Sequence, residues 1–173
     1  MESNSGDSDV KRNFILQQGL PEPPAASCPL QYSSLQFQPR LVGLIVLVAV
    51  ILQEPRIFLA LGGVLWWCAL APRLNPFDAL YNATLARRPG GMALLPAPAP
   101  RRFSQGMAGS FALAIGFSLL EGWKTTAIVL GVFLVVAVGA LVLGGFCLGS
   151  FIFHLLRGHA TFARRTLPWA RGA

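Results

Sequence analysis

Cys147 and Ser150 lie three residues apart in the run GGFCLGS, and His154 follows four residues after Ser150. One helical turn separates the thiol from the hydroxyl, so both project from a similar face. With two cysteines such a site could be a redox pair or a soft-metal site, because thiolates are the nucleophiles and ligands in that chemistry. One thiol cannot do either job alone. Cys68 lies toward the same end of an earlier apolar run, so a Cys68–Cys147 pair across two helices is a redox arrangement open to the chain. The plainer reading of Cys147 is a small buried hydrophobe in a helix contact. Cys28, Cys68 and Cys147 are widely spaced and odd in number, which excludes a disulfide framework and zinc-type ligand spacing.

The spacing Ser150-Phe-Ile-Phe-His154 resembles the pigment-ligating pattern of light-harvesting helices. A neutral imidazole ligates a macrocycle's metal, and a small residue one turn earlier leaves room for the ring. On that reading His154 binds a tetrapyrrole. The plainer reading makes it an interfacial group at terminal helix carbonyls, with no cofactor bound. The chain carries no Ser-His-Asp set, paired intramembrane carboxylates, HExxH motif or phosphate-cradling glycine loop, so no enzymatic activity is expected. The apolar runs also lack the charged residues that mark ion and proton paths.

The elements that must position these residues are set by a membrane. From Thr126 to Leu156 the chain has no Asp, Glu, Lys or Arg. The whole chain of 173 residues is 54% hydrophobic and 12% charged, with mean hydropathy +0.57. That balance does not suit a soluble domain. Four spans are expected, at about 41–53, 56–71, 103–120 and 125–156, arranged as two hairpins. Reading the first two as one helix would bury Glu54 and Arg56 mid-membrane at about 3 kcal/mol per ionised group. A turn at Gln53–Glu54 avoids this, with Pro55 in the first turn of the second helix.

Between the hairpins, Asn75-Pro76-Phe77-Asp78 reads as a helix start with Asn75 as N-cap. Phe77, Leu80, Tyr81, Thr84, Leu85 and Arg88 recur at helical spacing, which predicts an amphipathic interfacial helix at about 76–88. Residues 1–40, rich in Pro, Ser and Gln, read as an extended tail, and 157–173 as a basic C-terminal segment. The fold class is thus an all-α integral membrane protein. Arginines concentrate in the tail, the central segment and the C-terminal segment, which predicts that both termini and the interfacial helix are cytoplasmic. The sequon at Asn82 would then go unused. The net charge of +7 meets anionic headgroups rather than nucleic acid.

Helices in lipid associate through close packing at small residues. Gly145 and Gly149 form one small-residue groove, and Ala108, Ala112 and Gly116 a similar stripe. These are expected to meet each other or a partner helix. Trp66-Trp67 and Trp123 fit interfacial anchor positions.

The segments NPFDALYNATLARRP, RRFSQGMAGSFALAIGFSLL and the apolar helix ending in GFCLGSFIF resemble bacterial membrane proteins catalogued as domain of unknown function 4395. The likeness covers roughly residues 40–156. It implies a four-span protein of the bacterial cytoplasmic membrane and no established activity. The family's usual ending has a second cysteine three residues after the first, where this chain has Ser150. The expectation is a non-enzymatic accessory subunit, contacting membrane lipids and other subunits of a photosynthetic or respiratory complex. The alternatives are a membrane thiol-redox or sulfur-handling protein using Cys147, and a tetrapyrrole-binding subunit using His154.

Overall fold

Among the described residues, three stretches are long and apolar enough to cross a bilayer: 25 residues at Cys28–Leu52, 22 at Ala99–Leu120 and 21 at Lys124–Gly144. At 1.5 Å per residue, 20 or more residues reach the roughly 30 Å of a hydrocarbon core. A fourth apolar helix, Pro55–Leu70, has 16 residues. The computed structural model describes residues 3–88 and 91–170, and it is helical with no strand among them. In chain order the helices are α1 (Ser3–Gln17), α2 (Cys28–Leu35), α3 (Phe37–Leu52), α4 (Pro55–Leu70), α5 (Pro76–Thr84), α6 (Ala99–Leu120), α7 (Lys124–Gly144), α8 (Leu148–Leu156) and α9 (Ala160–Arg165).

Local sequence sets most of the boundaries. Gln53 takes a left-handed φ of 51° after α3, and Glu54 caps α4 by accepting from Arg56 N–H, with Pro55 in the first turn. Asn75 caps α5, its Oδ1 accepting from Phe77 N–H at 3.0 Å and Asp78 N–H at 3.4 Å. Asn82 grips the connector that follows, exchanging two hydrogen bonds with the backbone of Leu94. The Asn82 side chain is therefore committed to a turn.

The core forms where α3, α4, α6 and α7 meet, around Val46, Ala49, Phe58, Leu65, Ile115 and Leu134. Its tightest seam joins α4 to α6. A Cβ on Gly62 would lie 2.7 Å from Leu113 Cγ and 3.0 Å from the Gly109 carbonyl oxygen. A Cβ on Gly116 would lie 2.8 Å from Leu59 Cδ2. Ala112 is fully buried and Ala108 packs beside the same core. The stripe expected at Ala108, Ala112 and Gly116 thus closes against α4, inside the chain.

Three expectations are corrected. The apolar stretch 125–156 is not one helix: α7 ends at Gly144, Gly145 adopts a φ of +61°, and α8 starts after Cys147. Glycine enters the left-handed region without a Cβ penalty, and the Phe146 N–H reaches back to the Ala140 carbonyl at 3.1 Å. Gly145 and Gly149 consequently share no continuous helix groove. Nor is the N-terminal 40-residue segment an extended tail, because it holds α1, α2 and the first turn of α3. The predicted helix over 76–88 ends at Thr84, and it is not simply laid on the surface: Phe77, Asp78 and Tyr81 are buried.

The N-terminal segment folds because its amides have backbone partners elsewhere. Asn13 Nδ2 donates to the carbonyls of Leu167 and Ala170 beyond α9. Gln36 Nε2 donates to Leu141 O at 3.0 Å, a carbonyl left free by the end of α7. Phe14 and Ile15 are buried with Leu35, giving α1 and α2 a small apolar core of their own.

Candidate thiol site

The break after Gly145 puts Cys147 at the N-cap of α8, with extended backbone angles of −96° and 101°. Its N–H donates to Gln17 Oε1 at 2.8 Å, so α1 supplies the acceptor that anchors the start of α8. The sulfur does not cap the helix. Cys147 Sγ lies 3.2 Å from Ser104 Oγ on α6, and Ser150 Oγ lies 3.0 Å from the same oxygen. Ser104 Oγ also donates to the Pro100 carbonyl at 3.1 Å. With its one proton used there, Ser104 accepts from both the Cys147 thiol and the Ser150 hydroxyl. Turning that proton toward the sulfur would give a thiolate a hydrogen bond, beside a helix N-terminus where negative charge is favoured.

Close contact holds this group together. A Cβ on Gly149 would sit 2.7 Å from Ser104 Oγ, so only glycine lets α8 approach α6 this closely. Phe103 and Phe153 pack at 5.7 Å one turn away. Gly149 thus lies against Ser104 rather than against Ala112 or Gly116.

Cys147 is 4% exposed, yet two small cavities adjoin it. One, of about 70 Å³, runs along Ser104, Ala108 and Leu134. The other, of about 80 Å³, extends to Gln38, Arg101 and Gln105. A water needs roughly 10–15 Å³ of such space, so each has room for a small polar species. The second cavity is bounded by a buried amide, and among the described residues Gln105 Oε1 has no hydrogen-bond partner.

Gln105 also belongs to a buried polar cluster that sequence reasoning missed. Asp78 on α5 and Arg101 on α6 form an ion pair at 2.6 Å, with side chains only 9% and 7% exposed. Gln38 Oε1 accepts from Arg101 Nη2 and from Gln105 Nε2, both at 2.9 Å, while Asn75 Nδ2 donates to Asp78 Oδ2 at 3.0 Å. Asp78 reads in the sequence as a helix-start residue and Arg101 as a topology charge. Their occurrence in the two sequence segments NPFD and RRF was the available signal.

Cys68 joins this cluster instead of Cys147. Its thiol donates to Asn75 Oδ1 at 3.3 Å and is fully buried. The two cysteines named as a potential redox pair therefore have separate partners, and both are free thiols. Among the described residues, no three of His, Cys, Asp and Glu gather as a metal-binding set.

His154 is buried under α1 and α9. Its Nε2 lies 3.1 Å from the Gln17 carbonyl, which only accepts, so the proton sits on Nε2. Nδ1 is buried without a partner among the described residues, and Phe162 meets the ring edge-on at 4.7 Å. In this tautomer the lone pair that could ligate a metal is on Nδ1, and it is buried.

The family model described as Domain of unknown function (DUF4395) matches residues 32–157, from α2 through the end of α8. No curated protein and no solved structure matches the chain.

Proposed function

Because the chain belongs to the family Domain of unknown function (DUF4395), whose description assigns no chemistry, we propose a function from the geometry: a membrane thiol protein that handles sulfur at Cys147. The observation that carries this reading is the sulfur at the N-cap of α8, bonded to Ser104 and bordered by two small cavities. We read α3, α4, α6 and α7 as four spans forming two hairpins in a bacterial cytoplasmic membrane. Both termini are cytoplasmic, and α1, α2, α8 and α9 cap the bundle on that side.

The chemistry that fits one thiol is exchange with a small persulfide. The Cys147 thiolate attacks the terminal sulfur of R–S–SH, forming a new S–S bond as the old one breaks. R–S⁻ leaves and takes up the proton given up by Cys147, so the products are Cys147–S–SH and R–SH. No oxidant or reductant is consumed, and an incoming thiol reverses the step to carry the sulfur away. Ser150, in the place of a second cysteine, bonds Ser104 and cannot reclose the site as a disulfide.

The experiment is alkylation of the protein in native membranes, read residue by residue by mass spectrometry. A small methanethiosulfonate should modify Cys147, a bulky maleimide-polymer should not, and Cys68 should react with neither until unfolding. Persulfide supplied as sodium polysulfide should add one sulfur to Cys147. A Cys147 inert to both small reagents ends this reading.

A second reading, an accessory subunit of a larger membrane complex, has one observation in its favour. Gly43 on α3 and Gly139 on α7 border an outward groove of about 400 Å³, the kind of surface a partner helix fills. Purification in mild detergent decides it: a stable monomer with nothing bound argues against a partner there. The tetrapyrrole reading rests on the Nδ1 lone pair of His154 alone, and that nitrogen is buried.

A further inference from the structure

Arg101 and Arg102 are adjacent in sequence but differ in charge balance. Arg101 is neutralised by Asp78, whereas among the described residues Arg102 has no acidic partner. Its Nε donates to the Ala69 carbonyl at 2.7 Å, which fixes the guanidinium plane and leaves both terminal amino groups for another acceptor. A groove of about 500 Å³ opens beside it on the outer seam of α4 and α6. Trp66, Ala69, Gly106, Ser110 and Phe111 form its walls and floor. Arg102, Gly106 and Ser110 fall four residues apart, so they lie along one face of α6 from its first turn inward. Gly106 lies on the floor between them, where a Cβ would make ordinary contacts with Ala69 and Trp66 at 3.7 Å or more.

From this arrangement the geometry points to a bound phospholipid of net negative headgroup. The phosphodiester takes the two free terminal amino groups of Arg102, a bidentate match that arginine makes to phosphate. One acyl chain lies in the groove over Gly106 and against Trp66 and Phe111. The position suits both ends of the ligand: Arg102 is the fourth residue of a helix long and apolar enough to cross a membrane. A cation at that depth meets headgroups, and the apolar groove continues toward the hydrocarbon. A headgroup carrying its own positive charge would leave Arg102 uncompensated, which selects the anionic class.

The test uses the full chain in mild detergent, delipidated and titrated with phosphatidylglycerol or phosphatidylcholine of matched chains, and read by native mass spectrometry. One phosphatidylglycerol should be retained preferentially. Arg102→Gln should weaken it roughly tenfold and abolish the preference, because one charge-assisted contact is lost. Arg73→Gln, an exposed arginine outside the groove, should leave binding unchanged. Ser110→Phe, at an exposed position, should block the acyl chain while keeping Arg102, and it decides the matter if Arg102→Gln fails to fold. Equal retention of the two lipids, full binding by Ser110→Phe, or a dimer that excludes lipid from this seam would each overturn the assignment.

Discussion

Asp78 and Arg101, 23 positions apart, meet at 2.6 Å in a site nearly closed to solvent. The pair fastens the short helix α5 to the entry of α6, and Gln38 on α3 draws a third element to the same guanidinium. Removing one member of a buried pair leaves a charge without compensation, at a cost of about 3–5 kcal/mol. Asp78→Asn and Arg101→Gln should each lower the unfolding midpoint sharply in detergent. Asp78→Leu combined with Arg101→Leu should recover much of that loss, because both charges then disappear together. Singles as stable as the parent protein would show that the pair is not closed.

Gly145 gives a sharper test of the break between α7 and α8. A side chain in its left-handed conformation costs about 1–2 kcal/mol, and a Cβ would also press within 3.0 Å of Val10 Cγ1. Gly145→Ala should lower thermal stability and open Cys147 to the bulky maleimide. Gly139→Ala, where a Cβ meets open space, should do neither.

The anchoring amide of Gln17 predicts a local effect. Gln17→Ala removes the acceptor of the Cys147 N–H but keeps the backbone carbonyl that His154 uses. A buried donor left unpaired costs about 1–3 kcal/mol. Hydrogen exchange at the Cys147 amide should accelerate accordingly. Gln53→Ala, in an exposed turn, serves as the control and should change nothing at that amide.

Ser104 Oγ touches both Cys147 and Ser150, which brings their side chains close across one oxygen. Ser150→Cys should therefore form a disulfide with Cys147 under mild oxidation, detected as the loss of two hydrogens from the peptide spanning both. Cys68 should stay reduced, held on Asn75. A disulfide that instead includes Cys68 would contradict the separation of the two thiol environments.

Some of this was legible in the sequence, for identifiable reasons. Glu54-Pro55 and Asn75-Pro76 announce helix starts because their signals are local, a capping side chain followed by a residue without an N–H. The stop at Gly145 was hidden because hydropathy is uniform on both sides of it, and one glycine pair of three does not reveal which will turn left-handed. The N-terminal amides were harder still. Gln17 and Gln36 look like the polar residues of a loose tail until their partners appear, 130 and 105 positions away. Asp78 and Arg101 were each assigned a valid local role, and neither role mentions the other.

Those separations also order events in time. Gln17 is made early in synthesis, whereas the Cys147 amide it must hold emerges 130 residues later. Loop closure across such a distance waits for the intervening chain, so α1 has no α8 to hold while the earlier helices are being laid down. At a synthesis rate of about 5–20 residues per second, that interval lasts many seconds. A chain interrupted before Gly145 would already hold the apolar neighbours of Phe14 and Ile15, from Leu20 to Leu141, while Gln17 Oε1 would still lack the amide hydrogen it accepts.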